Sequence, residues 1–187
     1  QRIPARPTGR TLWNVCRRFT KGSRRAKPRR LRIRSTGIVA EFADYFDSGL
    51  LVKIYHLEPG SPEACERVQR AGPLPLPFLA EIEVRNALRV LHGREQLVRD
   101  RLDRALSLID SDIREGRLVR VSPSPAEVAA TAESLSRHHA PATLCRTLDL
   151  LHVAMAKHLE ITRFHTGDRR QGDLAEKAGL RVCSLLQ

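Results

Sequence analysis

From Ala43 onward, short apolar runs alternate with longer segments in which apolar residues recur at helical intervals. The apolar runs predict strands at 43–47, 118–121, 161–165 and 181–185. The amphipathic segments predict helices at 48–56, 61–71, 79–92, 95–115, 125–138, 146–159 and 169–178. Because strands separated by helices usually pair in parallel, the pattern predicts one α/β domain with a central parallel sheet flanked by helices on both faces.

Specific residues mark several of these helix ends. Ser61 and Pro62 predict the N-cap and the first position of the second helix. Gly116 predicts the end of the fourth helix. Ser124 and Glu127 have the spacing of a capping box, so the fifth helix is predicted to begin there.

The net charge of +12 is concentrated at the N-terminus. Residues 1–40 contain 13 of the 33 lysines and arginines and no acid, which leaves 20 basic against 21 acidic residues in 41–187. The basic segment also lacks apolar periodicity, so it cannot bury enough surface to offset the entropy of ordering. We therefore predict a disordered basic tail at 1–40 and one folded domain at 41–187.

Three interpretations of the tail are open. The preferred one is translated sequence upstream of the true start, because the composition changes abruptly near Val39 and the only methionine is Met155. The alternatives are an arm that binds nucleic acid and a targeting segment.

The four cysteines are widely spaced and form no CxxC pair, so the sequence predicts reduced thiols rather than a zinc site or a disulfide framework. No window approaches the roughly 18–20 consecutive apolar residues that span a bilayer. The N-terminal segment also lacks an apolar signal core. We therefore expect a soluble, cytoplasmic protein without a membrane partner.

Two acidic residues follow predicted strands. Asp47 ends the strand at 43–47, and Asp168 follows the strand at 161–165. Loops that carry chemistry leave a parallel sheet at the carboxyl ends of its strands, so both carboxylates are expected at one edge. Each residue also precedes a predicted helix, so a simple N-cap role is the alternative for each.

Glu83 and Asp149 lie inside predicted helices, on faces that apolar neighbours tend to bury. A buried carboxylate needs a partner or a cation, because an unpaired buried charge is strongly destabilising. Arg146 is a candidate ion-pair partner for Asp149, and Arg85 or Arg89 for Glu83. The residues alone leave structural ion pairs and metal ligation equally open.

Four motifs have an order and spacing that resemble one known family. They are YFDSGLLVKIY at 45–55, E-V-R-N-A-L at 83–88, R-x-x-D-L-L-H-x-A at 146–154 and T-G-D-R-R-Q at 166–171. Together they resemble the PIN domain family and, within it, the VapC-type toxin ribonucleases of type II toxin–antitoxin systems. The resemblance extends from about Ala43 to Leu185 and excludes the tail.

The resemblance implies a catalytic acidic site that holds a metal ion. Its four acids are Asp47, Glu83, Asp149 and Asp168. Asp47 is expected to be the central metal ligand, whereas Glu83 is expected to bind the metal directly, to bind it through water, or to position the attacking water. Oxygen ligands of this kind select Mg²⁺ or Mn²⁺. The expected supporting residues are Ser48, Thr166 and His152. His152 is expected to bond to the backbone rather than to transfer a proton, and Glu81 is expected to be a surface acid outside the site.

The resemblance further implies a metal-dependent endoribonuclease that hydrolyses RNA phosphodiester bonds, is inhibited by a cognate antitoxin, and forms a homodimer. The candidates for holding RNA phosphates are Lys53, Arg146, Arg163, Arg169 and Arg170, with solvated surface charge as the alternative. Two other functional classes stay open. One is a noncatalytic RNA-binding protein with this fold, and the other is a protein that binds nucleic acid through its basic arm.

Overall fold

The computed structural model describes the backbone of residues 31–34 and 37–40, and both backbone and side chains of residues 42–185. Two antiparallel strands, β1 (Leu31–Arg34) and β2 (Gly37–Ala40), precede the main domain. The charge pattern does not predict these strands, although Ile33, Ile38 and Val39 are β-branched and favour extended backbone. These two strands lie within the segment predicted as a basic tail, and residues 1–30 of that segment lie outside the described residues.

The domain in 42–185 alternates strands and helices, as the apolar pattern predicts. Its helices are α1 (Ser48–Tyr55), α2 (Ser61–Ala71), α3 (Phe78–Gly93), α4 (Arg99–Arg114), α5 (Pro125–Thr143), α6 (Thr147–His158) and α7 (Arg169–Lys177). Its strands are β3 (Asp44–Phe46), β4 (Leu74–Pro77), β5 (Leu118–Val121), β6 (Arg163–Thr166) and β7 (Arg181–Ser184). In this part of the chain, no helix has the length and apolar character needed to cross a membrane.

The strands of 42–185 pair in parallel, as predicted, but in two separately hydrogen-bonded sheets. One sheet has the order β3-β6-β7, with Phe46 opposite His165 and Thr166 opposite Ser184. The other consists of β4 and β5, and β4 lies beside β3. The predicted central sheet is thus interrupted between β3 and β4.

The sequence of β4, LPLP, accounts for the interruption. The backbone N–H of Leu74 donates to the carbonyl of Arg117, so this side of β4 faces β5. Successive N–H groups of a strand point to opposite sides, which directs the nitrogens of Pro75 and Pro77 toward β3. Proline nitrogen carries no hydrogen, so a regular ladder between β3 and β4 cannot form. The same prolines explain why the apolar pattern does not predict β4.

The start of α2 differs from the prediction. Gly60 occupies the N-cap with a φ of 86°, a conformation that glycine adopts readily, and Ser61 is already helical. The hydroxyl of Ser61 donates instead to the carbonyl of Lys53, at 2.6 Å. Ser61 therefore links α2 to the end of α1 rather than capping its own helix.

Two other helix signals are confirmed. The hydroxyl oxygen of Ser124 accepts a hydrogen bond from the N–H of Glu127 at the start of α5. Gly116 lies after α4 with a φ of 69°. The end of α5 differs, because the helix continues to Thr143, past the predicted end at 138.

Separate apolar cores lie on the two faces of the sheet. Phe46 belongs to a core that it shares with residues of α1, α2, α3 and α4. Its neighbour Tyr45 belongs to a core with residues of α5, α6 and α7. Side chains alternate along a strand, so consecutive residues of β3 serve opposite layers. The prediction of helices on both faces is confirmed.

The cysteines only partly follow the prediction. Cys145 and Cys183 are free thiols, as expected. Cys65 is disulfide-bonded and its partner lies outside the described residues, so the prediction of reduced thiols is wrong for Cys65.

At the amino ends of β3 and β6, a buried ion pair joins the two strands. Both carboxylate oxygens of Asp44 accept from Arg163, each at 2.6 Å, and His165 lies 2.8 Å from one of them. Burial alone would raise the pKa of Asp44, but the hydrogen bonds from Arg163 and His165 outweigh it and hold the pKa at about 2. The pair fixes the edge of the sheet opposite the carboxyl ends of these strands.

We expect Asp44→Asn to lower the free energy of unfolding at pH 7 by about 2 kcal/mol, because the carboxylate is stabilised in the folded state. Its contribution is present above the ordinary pKa of 3.8 and is lost as the pH falls through about 2. Urea unfolding of both proteins at pH 7 and pH 3 measures this. Glu66→Gln, which breaks the exposed pair with Arg70, is the control and should change stability little. An Asp44 effect that does not shrink with acid would contradict the pairing.

Candidate active site

Asp47 lies at the carboxyl end of β3 and is almost fully buried, with 6% of its surface exposed. One carboxylate oxygen accepts from the N–H of Leu50 at 2.7 Å and so caps α1. The hydroxyl of Thr166 bonds the other oxygen. Burial raises the pKa of Asp47, although the bonds from Thr166 and Leu50 oppose the rise. The residue is therefore an N-cap whose second oxygen points to the end of β6.

Asp168 follows β6 and is the N-cap of α7. Its carboxylate accepts from the N–H of Gln171 at 3.0 Å, and its own N–H donates to the hydroxyl oxygen of Thr166 at 3.0 Å. Thr166 therefore contacts both Asp47 and Asp168. Both acids therefore cap a helix, as the alternative interpretation proposed. Both also lie at the same edge of the sheet, as their positions after the strands predict.

Asp149 lies in the first turn of α6 and is half-buried. Its carboxylate forms no hydrogen bond or ion pair with any residue in the described part of the chain. Burial raises the pKa of Asp149, and the negative charges of Asp168 and Glu83 raise it further. The ion pair with Arg146, which was one of the two alternatives for this residue, is absent among these contacts, and Arg146 acts only through its charge at longer range. Asp149 is thus an unpaired carboxylate close to two other acids.

Glu83 reaches the same edge from α3. One of its oxygens bonds the Nε2 atom of His152, and its carboxylate also bonds Ser48. Burial would raise the pKa of Glu83, but the hydrogen bonds from His152 and Ser48 lower it overall. The alternative of an ion pair with Arg85 does not apply, because Arg85 bonds Glu81 and Asp110 instead. Of the acids that the motifs single out, Glu83 alone pairs with a histidine.

Glu81 lies outside this cluster, as predicted. Arg120 donates to both of its oxygens at 2.8 Å, and Arg85 donates to one of them at 3.1 Å. These bonds lower the pKa of Glu81, against a smaller effect of burial. Two positions along a helix correspond to a rotation of about 200°, so Glu81 points away from Glu83. Glu81 is a partly buried member of an ion-pair network rather than a solvated acid.

His152 is a buried connector between the acidic edge and the sheet. Its Nε2 atom bonds Glu83, and its Nδ1 atom lies 2.6 Å from the hydroxyl of Tyr45. The expected backbone bond of His152 is therefore replaced by two side-chain bonds. Tyr45 was not a predicted site residue, because an aromatic residue in a strand indicates only a core position.

Gln171 is a second site residue that the sequence did not single out. Its Oε1 atom lies 2.7 Å from the hydroxyl of Thr166, and its Nε2 atom lies 3.4 Å from the carbonyl of Asp149. Gln171 is buried, so these contacts join β6, α6 and α7. Its place in the T-G-D-R-R-Q motif was the signal that could have identified it.

The PIN domain family model matches residues 45–177 of the chain. The chain belongs to the PIN domain family. The matched segment contains all four acids and begins at Tyr45.

Two solved structures resemble this PIN domain. VapBC2 from Rickettsia felis, bound to a DNA fragment from its promoter, has a TM-score of 0.53 and 12% identity, and the match covers 75% of this chain and 97% of that chain. FitAcB from Neisseria gonorrhoeae has a TM-score of 0.48 and 15% identity, with coverage of 74% and 95%. A search of curated proteins finds no match. At 12% identity, the likeness to VapBC2 concerns the fold alone.

The basic residues that were predicted to hold phosphates divide into two groups in the PIN domain. Lys53 pairs with Glu58 at 2.8 Å, and Arg163 pairs with Asp44 at the opposite edge of the sheet, so neither is available beside the acids. The exposed residues Arg146, Arg169 and Arg170 form no ion pair within the described residues. These three arginines flank Asp149 and Asp168 in sequence and remain the candidates.

The four acids offer oxygen ligands, but they do not form a ready metal cluster. In residues 42–185, no group of three His, Cys, Asp or Glu side chains is arranged so that it could hold a metal ion. The chemistry of the donors still fits Mg²⁺ or Mn²⁺, because the nearby negative charges raise the pKa of Asp149 and a divalent cation relieves such repulsion. The unpaired carboxylate of Asp149 is the strongest single indication of this fit.

Proposed function

We propose that this PIN domain is a metal-dependent endoribonuclease of the VapC type, which hydrolyses RNA phosphodiester bonds with Mg²⁺ or Mn²⁺. The observation that carries the proposal is the convergence of four acids from different elements on one edge of the sheet. The acids are Asp47, Glu83, Asp149 and Asp168. Such a concentration of carboxylates opposes folding unless a cation or a positively charged group offsets it.

Asp47, Asp149 and Asp168 would hold the cation. When bound, a divalent cation lowers the pKa of a coordinated water and stabilises negative charge on the phosphate. Glu83 is held toward the site by His152, where it binds the cation directly or through water, or orients the attacking water. Thr166 would hold two of these ligands close to each other, because it contacts both Asp47 and Asp168.

The exposed arginines beside the acids suit a polyanionic substrate. Arg169 and Arg170 lie in the first turn of α7, directly after Asp168, and Arg146 is the N-cap of α6, three residues before Asp149. Guanidinium groups at these positions would bind RNA phosphates on either side of the scissile bond.

The similarity in fold to VapBC2 supports the VapC-type assignment. On this assignment, a cognate antitoxin inhibits the enzyme, the protein forms a homodimer, and it acts in the cytoplasm. The antitoxin, the second subunit and the location follow from the proposed function, and no binding surface on this chain is assigned to either partner.

The test is cleavage of a mixed-sequence RNA by the purified protein. We expect cleavage with Mn²⁺ or Mg²⁺, loss of cleavage with excess chelator, and recovery when the metal is restored. Asp149→Asn should reduce cleavage to the level without protein, whereas Asp173→Asn, an exposed acid on α7, should leave it unchanged. Cleavage that persists in chelator, or equally in the Asp149 variant, would overturn the proposal.

A further inference from the structure

A chain of two hydrogen bonds runs from the core of the sheet to Glu83. The hydroxyl of Tyr45 lies 2.6 Å from Nδ1 of His152, and Nε2 of His152 bonds the carboxylate of Glu83. Two of its three side chains are buried: the exposed fraction is 0% for Tyr45 and 1% for His152. Water therefore cannot replace the bonds of Tyr45 and His152, and these two side chains depend on their neighbours in the chain of bonds.

The direction of the protons follows from the groups at the two ends. An ionised carboxylate only accepts, so Nε2 of His152 donates to Glu83. In a neutral imidazole, Nδ1 then accepts, and the hydroxyl of Tyr45 donates to it. The phenol of Tyr45 is fully buried and carries its hydrogen at neutral pH, so it can donate this bond. A doubly protonated imidazole would leave the hydroxyl hydrogen of Tyr45 without an acceptor among the described residues.

The aromatic ring of Tyr45 is itself fixed. It stacks on Phe164 of β6, with ring centroids 5.4 Å apart and planes within 7°. It also meets the ring of His152 edge-on, at 5.8 Å. Strands β3 and β6 thus set the position of the hydroxyl, and the hydroxyl fixes the position of the imidazole, whose tautomer is set by Glu83.

Glu83 needs such a restraint. Its side chain is 22% exposed, and its charge lies close enough to Asp149 to raise the pKa of that acid. Without a donor that holds it, a glutamate on a helix surface turns toward solvent, away from like charge. The bond from His152, together with the bond to Ser48, keeps the carboxylate at the acidic edge.

We propose that Tyr45 and His152 are positioning residues, which form a relay that holds Glu83 in the acidic site and thereby strengthens divalent cation binding there. The part of this inference that concerns the cation rests on the proposed function. The part that concerns the relay rests on the two hydrogen bonds. Residues that orient the groups around a metal typically change metal affinity by about 10–100-fold when removed.

The first experiment compares the two tyrosines of the chain. Tyr45→Phe removes only the hydroxyl and keeps the stacked ring, whereas Tyr55→Phe removes the hydroxyl of a partly buried tyrosine that bonds Asp112 and packs against the other core. We expect calorimetric titration with Mn²⁺ to show about 10-fold weaker binding for Tyr45→Phe and unchanged binding for Tyr55→Phe. Equal Mn²⁺ affinity of wild type and Tyr45→Phe would overturn the relay, because a purely structural hydroxyl changes stability alone.

The second experiment replaces His152. Gln can place an amide N–H near the carboxylate of Glu83, whereas Leu fills the space without a donor. Mn²⁺ affinity should therefore fall less for His152→Gln than for His152→Leu. Equal losses in the two variants would show that packing, not the donated bond, matters.

Nitrogen NMR of the imidazole tests the relay without any metal. Wild type should show His152 with its proton on Nε2 and with Nδ1 accepting a hydrogen bond. Tyr45→Phe should keep the proton on Nε2, because Glu83 still accepts it, and should lose the shift of the Nδ1 resonance that the accepted bond causes. A proton on Nδ1 in wild type would overturn the relay whatever the metal result. Absence of Mn²⁺ binding by a wild-type protein with the expected tautomer would instead contradict the proposed function and the cation-binding part of this inference, and it would leave the hydrogen-bonded relay supported.

Discussion

Asp47→Asn is expected to abolish both RNA cleavage and Mn²⁺ binding while the protein stays folded. Asn keeps the shape of the side chain but removes a formal negative charge from the centre of the proposed site. Its carbonyl oxygen still accepts from the N–H of Leu50, and its amide can donate to the hydroxyl oxygen of Thr166. The change therefore separates the charge of Asp47 from its role as a cap.

The stability of this variant should equal or exceed that of wild type at pH 7. Burial raises the pKa of Asp47 in the fold, so its ionised form is less stable there than in the unfolded chain. The stability that the protonated form provides is full below the ordinary value of 3.8 and is lost as the pH rises through the folded pKa. Asn is uncharged at every pH and avoids this loss, and the wild-type protein should approach the variant in stability as the pH is lowered.

The measurements are RNA cleavage, Mn²⁺ titration and thermal melting on the same preparations. Ser124→Ala is the matched control for a cap, since it removes the cap of α5 and should lower stability by about 1 kcal/mol without changing cleavage. If Asp47 were only a cap, Asn would replace it without effect, because the two residues cap helices about equally well. Undiminished cleavage by Asp47→Asn would therefore exclude its role as a metal ligand.

The sequence predicts the fold well where the apolar period is clear and fails where backbone chemistry decides. Each helix in 42–185 was predicted, as were four of the five strands in that range. The exception is β4, where Pro75 and Pro77 argue against a strand. The strand accommodates both prolines because their nitrogens face β3, where no ladder forms. The sequence of β4 alone does not indicate which of its two sides pairs with a neighbouring strand.

The candidate site shows the same division. Strand ends place Asp47 and Asp168 at one edge from sequence alone, because parallel topology brings these ends together. The partners of the acids could not be predicted from helical spacing. Arg85 was near enough along α3 to pair with Glu83, but the helix turns it toward Glu81 and Asp110.

Contacts between distant residues explain the remaining differences. His152 and Glu83 are separated by 69 positions and Tyr45 and His152 by 107, so only the packing of α3 and α6 against β3 brings them together. Arg163 was a candidate phosphate ligand until the register of β3 and β6 paired it with Asp44. Sequence distance hides such pairs, since nothing local indicates which buried group will meet which.

Glu83→Gln and Glu81→Gln should have opposite consequences, although the two residues are only two positions apart. Glu83→Gln is expected to reduce RNA cleavage by about 10²–10⁴-fold, the range for loss of a group that positions or activates water. The amide keeps an oxygen that accepts from His152, so the fold should persist. Removing this charge should also lower the pKa of Asp149, which Glu83 raises.

Glu81→Gln should leave cleavage unchanged and cost at most about 1 kcal/mol of stability, because its lost partner Arg120 is exposed and Arg85 retains Asp110. Cleavage rates and melting temperatures of the two variants, measured side by side, decide between the two glutamates. Both substitutions make the same chemical change on the same helix, so a difference in cleavage can arise only from the direction in which each side chain points. The reverse ranking would mean that Glu81, with its arginines, belongs to the catalytic site and that the second motif has been aligned two residues out of register.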